Sequence, residues 1–219
     1  VAVIMSVYNG EKYLRESIDS ILNQTFRDFV FLIIDDNSTD NSLEIIKSYD
    51  DERIHFFTNL KNEKLLAASE IKTATGFDPS EPFILATLHP ETVGGVSNSE
   101  MALAFFAALE DSGKKVLVTM PNADPGANEI REIIKKITTG NRRFFIFENL
   151  GTRLYFSMMK HASAMAGNSS SGIIEAASFG LPVVNVGDRQ KGRVRGRNIV
   201  DVPPDKRAIS VALKKVVDK

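Results

Sequence analysis

The chain has 219 residues, 43% hydrophobic and 25% charged, which is ordinary for a globular protein and too apolar for a disordered one. No run approaches 18 consecutive apolar residues, which excludes a membrane-spanning helix, and the absence of cysteine excludes disulfides, a thiol nucleophile and thiolate zinc sites. Three histidines leave little for a His-rich metal site, and a net charge of −1 argues against general nucleic-acid binding. Glu11, Lys12 and Arg15 interrupt the apolar start, so no secretory leader is expected and a cytoplasmic location is the default.

The predicted elements alternate short apolar runs with amphipathic helices. Val1–Tyr8 reads as a strand, closed by the turn pair Asn9-Gly10. Leu14, Ile18, Ile21 and Leu22 recur at helical spacing over Tyr13–Leu22. Phe29–Ile34 is a second strand, ended by Asp35-Asp36-Asn37, and Ser38 or Thr39 is placed to cap a helix over Asn41–Tyr49. Ile54–Thr58 is a third strand, and Leu60–Gly76 a linking helix or loop. Asp78-Pro79 and Glu81-Pro82 mark a boundary. Six further strands follow: Phe83–Leu88, Lys115–Met120, Phe144–Phe147, Ala164–Gly167, Pro182–Val186 and Asn198–Val202. Helices fall at Ser99–Glu110, Ala127–Thr138, Thr152–Lys160 and Gly172–Ser178, and Asp205 opens a last one that runs to the C-terminus.

Such alternation with continuous apolar strands implies α/β architecture, with parallel sheets covered on both faces. Six strands make a complete doubly wound, Rossmann-like sheet; three make only a βαβαβ half. The expected organisation is a partial βαβαβ unit over 1–64, a linker or helix over 65–82, and a full Rossmann-like domain over 83–219. Charge divides the same way. Residues 1–64 carry 7 Lys/Arg against 12 Asp/Glu, and residues 65–219 carry 20 against 16. A half sheet leaves strand Val1–Tyr8 with a free edge, and free apolar edges recruit partners. That edge is therefore expected to pair with a second copy, as a homodimer, or with the other unit's sheet.

The front motifs are Val3-Ile4-Met5-Ser6-Val7-Tyr8-Asn9-Gly10, Leu14-Arg15-Glu16-Ser17-Ile18, Ser20-Ile21-Leu22-Asn23-Gln24-Thr25 and Ile34-Asp35-Asp36-Asn37-Ser38-Thr39-Asp40. In this order and spacing they resemble the start of a family 2 glycosyltransferase of GT-A fold, over roughly residues 1–60. The resemblance implies nucleotide binding by the 1–64 unit: Val7, Tyr8 and Asn9 would line a base pocket, and Asp36 would accept a hydrogen bond from uracil. The family usually has Gly where Asn37 stands; Asn tolerates the left-handed geometry such a turn needs. Asp35, Asp36 and Asp40 could instead serve only to cap a helix. The Asp-X-Asp that would hold a divalent ion in such transferases does not occur downstream, so no metal site and no transferase chemistry are expected.

The rear motifs are Thr87-Leu88-His89-Pro90-Glu91-Thr92, Pro121-Asn122-Ala123-Asp124, His161-Ala162, Gly167-Asn168-Ser169-Ser170-Ser171-Gly172-Ile173-Ile174-Glu175 and Gly187-Asp188-Arg189-Gln190-Lys191-Gly192-Arg193. They resemble the C-terminal half of a hydrolysing UDP-N-acetylglucosamine 2-epimerase of the sialic-acid type, with GT-B fold. Small residues between a strand and a helix let backbone approach a diphosphate, and hydroxyls with free N–H groups donate to it. The resemblance implies UDP binding by the 83–219 domain, with Ser169 and Ser170 contacting phosphates at the turn around Gly172. Glu175 would accept the ribose hydroxyls, and His89 would meet the sugar-diphosphate linkage. Asn122, His161 and Arg189 also match site positions. His161 could simply cap its helix, and the run Arg189, Lys191, Arg193, Arg195, Arg197 could be a solvated surface. Glu91 is a weaker candidate, and His55 matches nothing.

The family reaction eliminates UDP from UDP-GlcNAc and then adds water to give N-acetylmannosamine. It needs positioned acids and bases, several of them carboxylates from an N-terminal domain. Transferase-like sequence stands in that place here, so UDP or UDP-sugar binding is expected to outlast catalysis, with no required cofactor. The alternatives are an active hydrolysing epimerase and a glycosyltransferase remnant. A junction near Thr58–Leu66 reads as the seam of a recombined chain, engineered or fused.

Overall fold

The computed structural model describes residues 1–58, 64–91 and 95–217. The chain divides into two compact units, Val1–Lys64 and Leu65–Lys219. The junction near Thr58–Leu66 falls largely on residues outside the described ones, as does Thr92.

The first unit comprises β1 (Ala2–Val7), α1 (Glu11–Leu22), β2 (Val30–Asp35), α2 (Ser42–Lys47) and β3 (Ile54–Thr58). The strands are parallel in the order β1-β2-β3. Alternation sorts their side chains onto two faces. Val3, Met5, Val7, Phe31, Ile33 and Ile54 pack against Leu14 and Ile18 of α1 and Ile46 of α2. The opposite face carries Ile4, Val30 and Phe57, which are 66%, 42% and 60% exposed. The expectation of cover on both faces therefore fails for this unit, because both of its helices lie on one side. β1 pairs with β2 alone among the described residues, so its other edge is open.

Ser38 and Thr39 do not cap α2 as expected. The N-cap position is Asn41, and the Asp40 carboxylate takes the Ser42 N–H at 3.0 Å. Ser38 Oγ instead receives the Asn9 N–H at 3.0 Å. Asn37 has φ 58° and Asn9 φ 48°, the left-handed turns that asparagine accepts.

The second unit opens with α3 (Ala68–Thr75), which resolves the helical part of the linking segment. Then follow β4 (Phe83–Thr87), α4 (Asn98–Asp111), β5 (Lys115–Thr119), α5 (Ala127–Thr138), β6 (Phe144–Phe147) and α6 (Gly151–His161). After them come β7 (Ala164–Gly167), α7 (Ser170–Ile174), a 3-10 turn (Ala176–Phe179), β8 (Val183–Val186), β9 (Ile199–Val202) and α8 (Lys206–Val217). All six strands are parallel, in the order β6-β5-β4-β7-β8-β9. This is the doubly wound order, with its switch point between β4 and β7.

Here helices cover both faces. Ile84, Ala86, Val116, Val118, Val184 and Val186 point to a layer built from α4, α5 and α8, which contributes Phe105, Phe106, Ile130 and Leu213. Phe83, Leu85, Leu117, Met165 and Val183 point to the other layer, with Ile71 of α3 and Met158 and Met159 of α6. Each fully buried Phe, Leu or Ile contributes about 1.5–3 kcal/mol by leaving water. The predicted helix over Gly172–Ser178 differs in detail: it starts two residues earlier, at Ser170, and ends at Ile174, with Glu175 as the hinge into the 3-10 turn.

Candidate functional site

The switch point places the ends of β4 and β7 side by side, and a ligand crevice forms where connections leave such strands in opposite directions. Thr87 of β4 pairs with Gly167 of β7. Gly167 has φ +126°, and a Cβ there would collide with the Thr87 carbonyl, so only glycine lets the two strand ends meet. Asn168 then fastens them. Its Oδ1 accepts the His89 N–H at 2.7 Å and its Nδ2 donates to the His89 carbonyl at 2.9 Å.

A cavity of about 650 Å³ opens at this end of the sheet. Thr87, His89, Thr119, Asn122, Tyr155, Ser169, Ser171 and Glu175 line it, together with Arg131, Glu148 and Phe156. His89 is buried, and its Nδ1 accepts the Asn122 N–H at 3.3 Å. Burial, helped by the nearby Arg189 charge, pushes its pKa down to about 4. The imidazole is therefore neutral at pH 7, and its remaining proton sits on Nε2, available to a ligand acceptor.

Ser169 caps α7: its Oγ accepts the Ser171 N–H at 3.4 Å and lies 3.3 Å from Ser171 Oγ. The Thr87 and Thr119 hydroxyls bond each other across β4 and β5. Glu175 follows one turn in, and its Oε2 is buried with no hydrogen-bond partner. A carboxylate oxygen of that kind calls for a donor.

The predicted site residues divide. His89, Asn122, Ser169 and Glu175 are brought together at the cavity. Ser170 is not among the lining residues; Ser171 takes that place, because helical winding from Ser170 turns the next hydroxyl inward. Gly172 is buried in the packing rather than at the cavity, and a Cβ there would lie 3.0 Å from Val183 Cγ1. Arg189 stands beside the cavity: its Nη1 reaches the Asn168 carbonyl at 3.4 Å and its Nη2 lies 3.8 Å from Asp124. Its backbone N–H donates to Glu91 Oε1 at 3.0 Å, which ties the loops after β4 and β8. His161 lies away from the cavity, at the end of α6, where Nε2 is 3.4 Å from the Leu66 carbonyl. Of the basic run, Arg195 is held by Asp201 at 3.0 Å, a structural role.

In the first unit Val7 is a core residue, 5% exposed, and faces α1 and α2 rather than a pocket. Tyr8 and Asp36 are exposed. Asn9 joins the two loops, its Oδ1 accepting the Thr39 N–H at 2.8 Å. The buried carboxylate of this turn is Asp35, which accepts the Ser38 N–H at 3.2 Å.

Sequence reasoning passed over Thr87, Thr119, Tyr155 and Ser171 as site residues. Each carries a hydroxyl at the carboxyl end of a strand or on a helix facing it. Tyr155 sits at core spacing in an amphipathic helix, which hides a polar role. Among the described residues no cluster of three or more His, Asp or Glu is placed to hold a metal, and no helix is long and apolar enough to cross a membrane.

Residues 49–219 match the family model of the UDP-N-acetylglucosamine 2-epimerases. The chain belongs to that epimerase family. Residues 2–76 match the model of glycosyl transferase family 2, so the two matches overlap across the boundary between the units. The GDP/UDP-N,N′-diacetylbacillosamine 2-epimerase (hydrolyzing) of Campylobacter jejuni is 37% identical over 147 residues, covering 66% of this chain and 38% of that one. An uncharacterised glycosyltransferase of Methanocaldococcus jannaschii is 52% identical over 66 residues, covering 28% of this chain and 23% of that one. This epimerase-family chain thus matches less than two fifths of either relative's length. The structure of the M. jannaschii UDP-GlcNAc 2-epimerase in complex with UDP-GlcNAc and UDP aligns with a TM-score of 0.53 at 13% identity, covering 95% of this chain and 74% of that one. That likeness supports the Rossmann-like fold.

Proposed function

We propose that the second unit binds UDP or a UDP-sugar such as UDP-GlcNAc in the cavity at the switch point. The observation that carries the reading is the buried, unpartnered Oε2 of Glu175 in a cavity lined by hydroxyls. A ribose brings two vicinal hydroxyl donors to such an oxygen, and the seryl and threonyl hydroxyls with the His89 Nε2–H suit diphosphate acceptors. Arg189 adds positive charge beside Asn168. Family membership and the UDP-bound epimerase structure support the same ligand class.

Catalysis in this chain is proposed to be reduced or absent. The acids and bases of the elimination come in part from the family's first domain, and transferase-like residues occupy that position here. The alternative is an active hydrolysing epimerase that releases N-acetylmannosamine and UDP. A glycosyltransferase remnant acting through the loops after β1 and β2 is the third reading. Self-association through the open edge of β1 is proposed as well, supported by its uncharged sequence, and a strictly monomeric mass in light scattering would refute it.

Calorimetry tests the main reading. UDP is expected to bind, and Ser169→Ala with Arg189→Ala is expected to weaken it by at least about tenfold without unfolding the protein. No heat at millimolar UDP would overturn it. Product analysis with UDP-GlcNAc separates binding from turnover: N-acetylmannosamine released at rates above the uncatalysed reaction would promote the active epimerase.

A further inference from the structure

Two asparagines hold the loop after β4 in the same way. Asn168 takes His89 by its N–H and its carbonyl. Asn98, the first residue of α4, does the same for Glu91: its Oδ1 accepts the Glu91 N–H at 2.8 Å and its Nδ2 donates to the Glu91 carbonyl at 3.3 Å. With its backbone fixed, Glu91 extends its carboxylate to the loop after β8, where Oε1 accepts the Arg189 N–H at 3.0 Å. Gly187 makes room for it, since a Cβ there would collide with Oε1. The buried Gln190 then donates to the Asn168 carbonyl at 2.8 Å, and Arg189 Nη1 lies 3.4 Å from the same oxygen. We propose that Glu91 is a positioning residue of the nucleotide site, whose carboxylate fixes the backbone of Arg189 and with it the place of the guanidinium that meets a ligand diphosphate. The proposal rests on the nucleotide reading above.

Glu91 is not among the residues that line the cavity, so it acts through Arg189 rather than on the ligand. By charge alone it is a hindrance there, because a carboxylate near an anion site repels the anion and opposes the arginine. What it supplies is an acceptor. An arginine carries its charge on a long, rotamer-rich stem, and ordering completed before the ligand arrives does not weaken binding. Two effects of one carboxylate therefore have opposite signs. Losing the charge strengthens anion binding, and losing the hydrogen bond weakens it. Glutamine separates them, because its Oε1 still accepts the Arg189 N–H and carries no charge.

The test is chemical-shift titration of the full chain with UDP and with uridine, which has the same base and ribose but no phosphate. Glu91→Ala is expected to bind UDP about fivefold or more weakly than wild type, with uridine affinity unchanged. Glu91→Gln is expected to bind UDP at least as tightly as wild type. On an Arg189→Ala background, Glu91→Ala should change UDP affinity by less than about twofold, because the residue it positions is gone. Glu91→Asp keeps the charge but falls one methylene short of the Arg189 N–H; it should give the same UDP-only loss and serves if Glu91→Ala does not fold. Equal losses for UDP and uridine would show a merely structural role and overturn the proposal. So would unchanged or tighter UDP binding by Glu91→Ala, a loss in Glu91→Gln as large as in Glu91→Ala, or a full additive loss in the double variant. Failure of the wild-type protein to bind UDP would instead overturn the nucleotide reading, and the role of Glu91 with it.

Discussion

Burial at the end of β4 holds His89 neutral, with Nδ1 accepting the Asn122 N–H, and this has a consequence for pH. The unfolded chain protonates His89 near the ordinary value of about 6.5, the folded protein near 4. Protons therefore favour the unfolded state as pH falls. The contribution is fully present above about pH 6.5 and is lost progressively as pH drops toward 4, about 3 kcal/mol in all. Ring resonances of His89 should titrate near pH 4, and His89→Leu should flatten the acid side of the melting curve. A midpoint near 6.5 would contradict the assignment. Glu175 offers a second test at this scale. Glu175→Gln replaces an acceptor oxygen by a donor in the same shape. UDP and uridine should both bind about tenfold more weakly, because both carry the ribose, while thermal melts show no loss of stability.

At the scale of elements, the strands were the most legible part. Ile54–Thr58 and Phe144–Phe147 are read from β-branched and aromatic runs at their observed bounds, and the small apolar run Ala164–Gly167 matches its observed bounds as well. The α7 turn was less so. Three consecutive serines offer three cap positions, and local propensity does not choose among them. Tertiary packing does: Gly172 must lie against Val183, which winds the helix from Ser170 and leaves Ser169 as the cap. Gly172→Ala should push α7 from β8 at a cost of about 1–3 kcal/mol, read as a lower melting temperature. Asn168→Ala should cost at least as much by stranding a buried N–H and C=O of His89, about 2 kcal/mol or more. The uncovered face of the first sheet was not legible at all. Its strands read as continuous apolar runs, which signal two-sided cover, yet α1 and α2 share one side.

The whole molecule combines a complete doubly wound unit, Leu65–Lys219, with half of another, Val1–Lys64; the expectation of a junction near Thr58–Leu66 rests on motif order, since composition by itself locates no boundary. The candidate site belongs to the complete unit, where a switch point exists; the three-stranded order β1-β2-β3 has none. Titration of the full chain with UDP, followed by amide shifts, tests this most directly. The account predicts saturating shifts around His89, Ser169, Ser171, Glu175 and Arg189, with a dissociation constant below about 1 mM. Shifts centred on Tyr8, Asn9 and Asp36, or none at millimolar UDP, would contradict it.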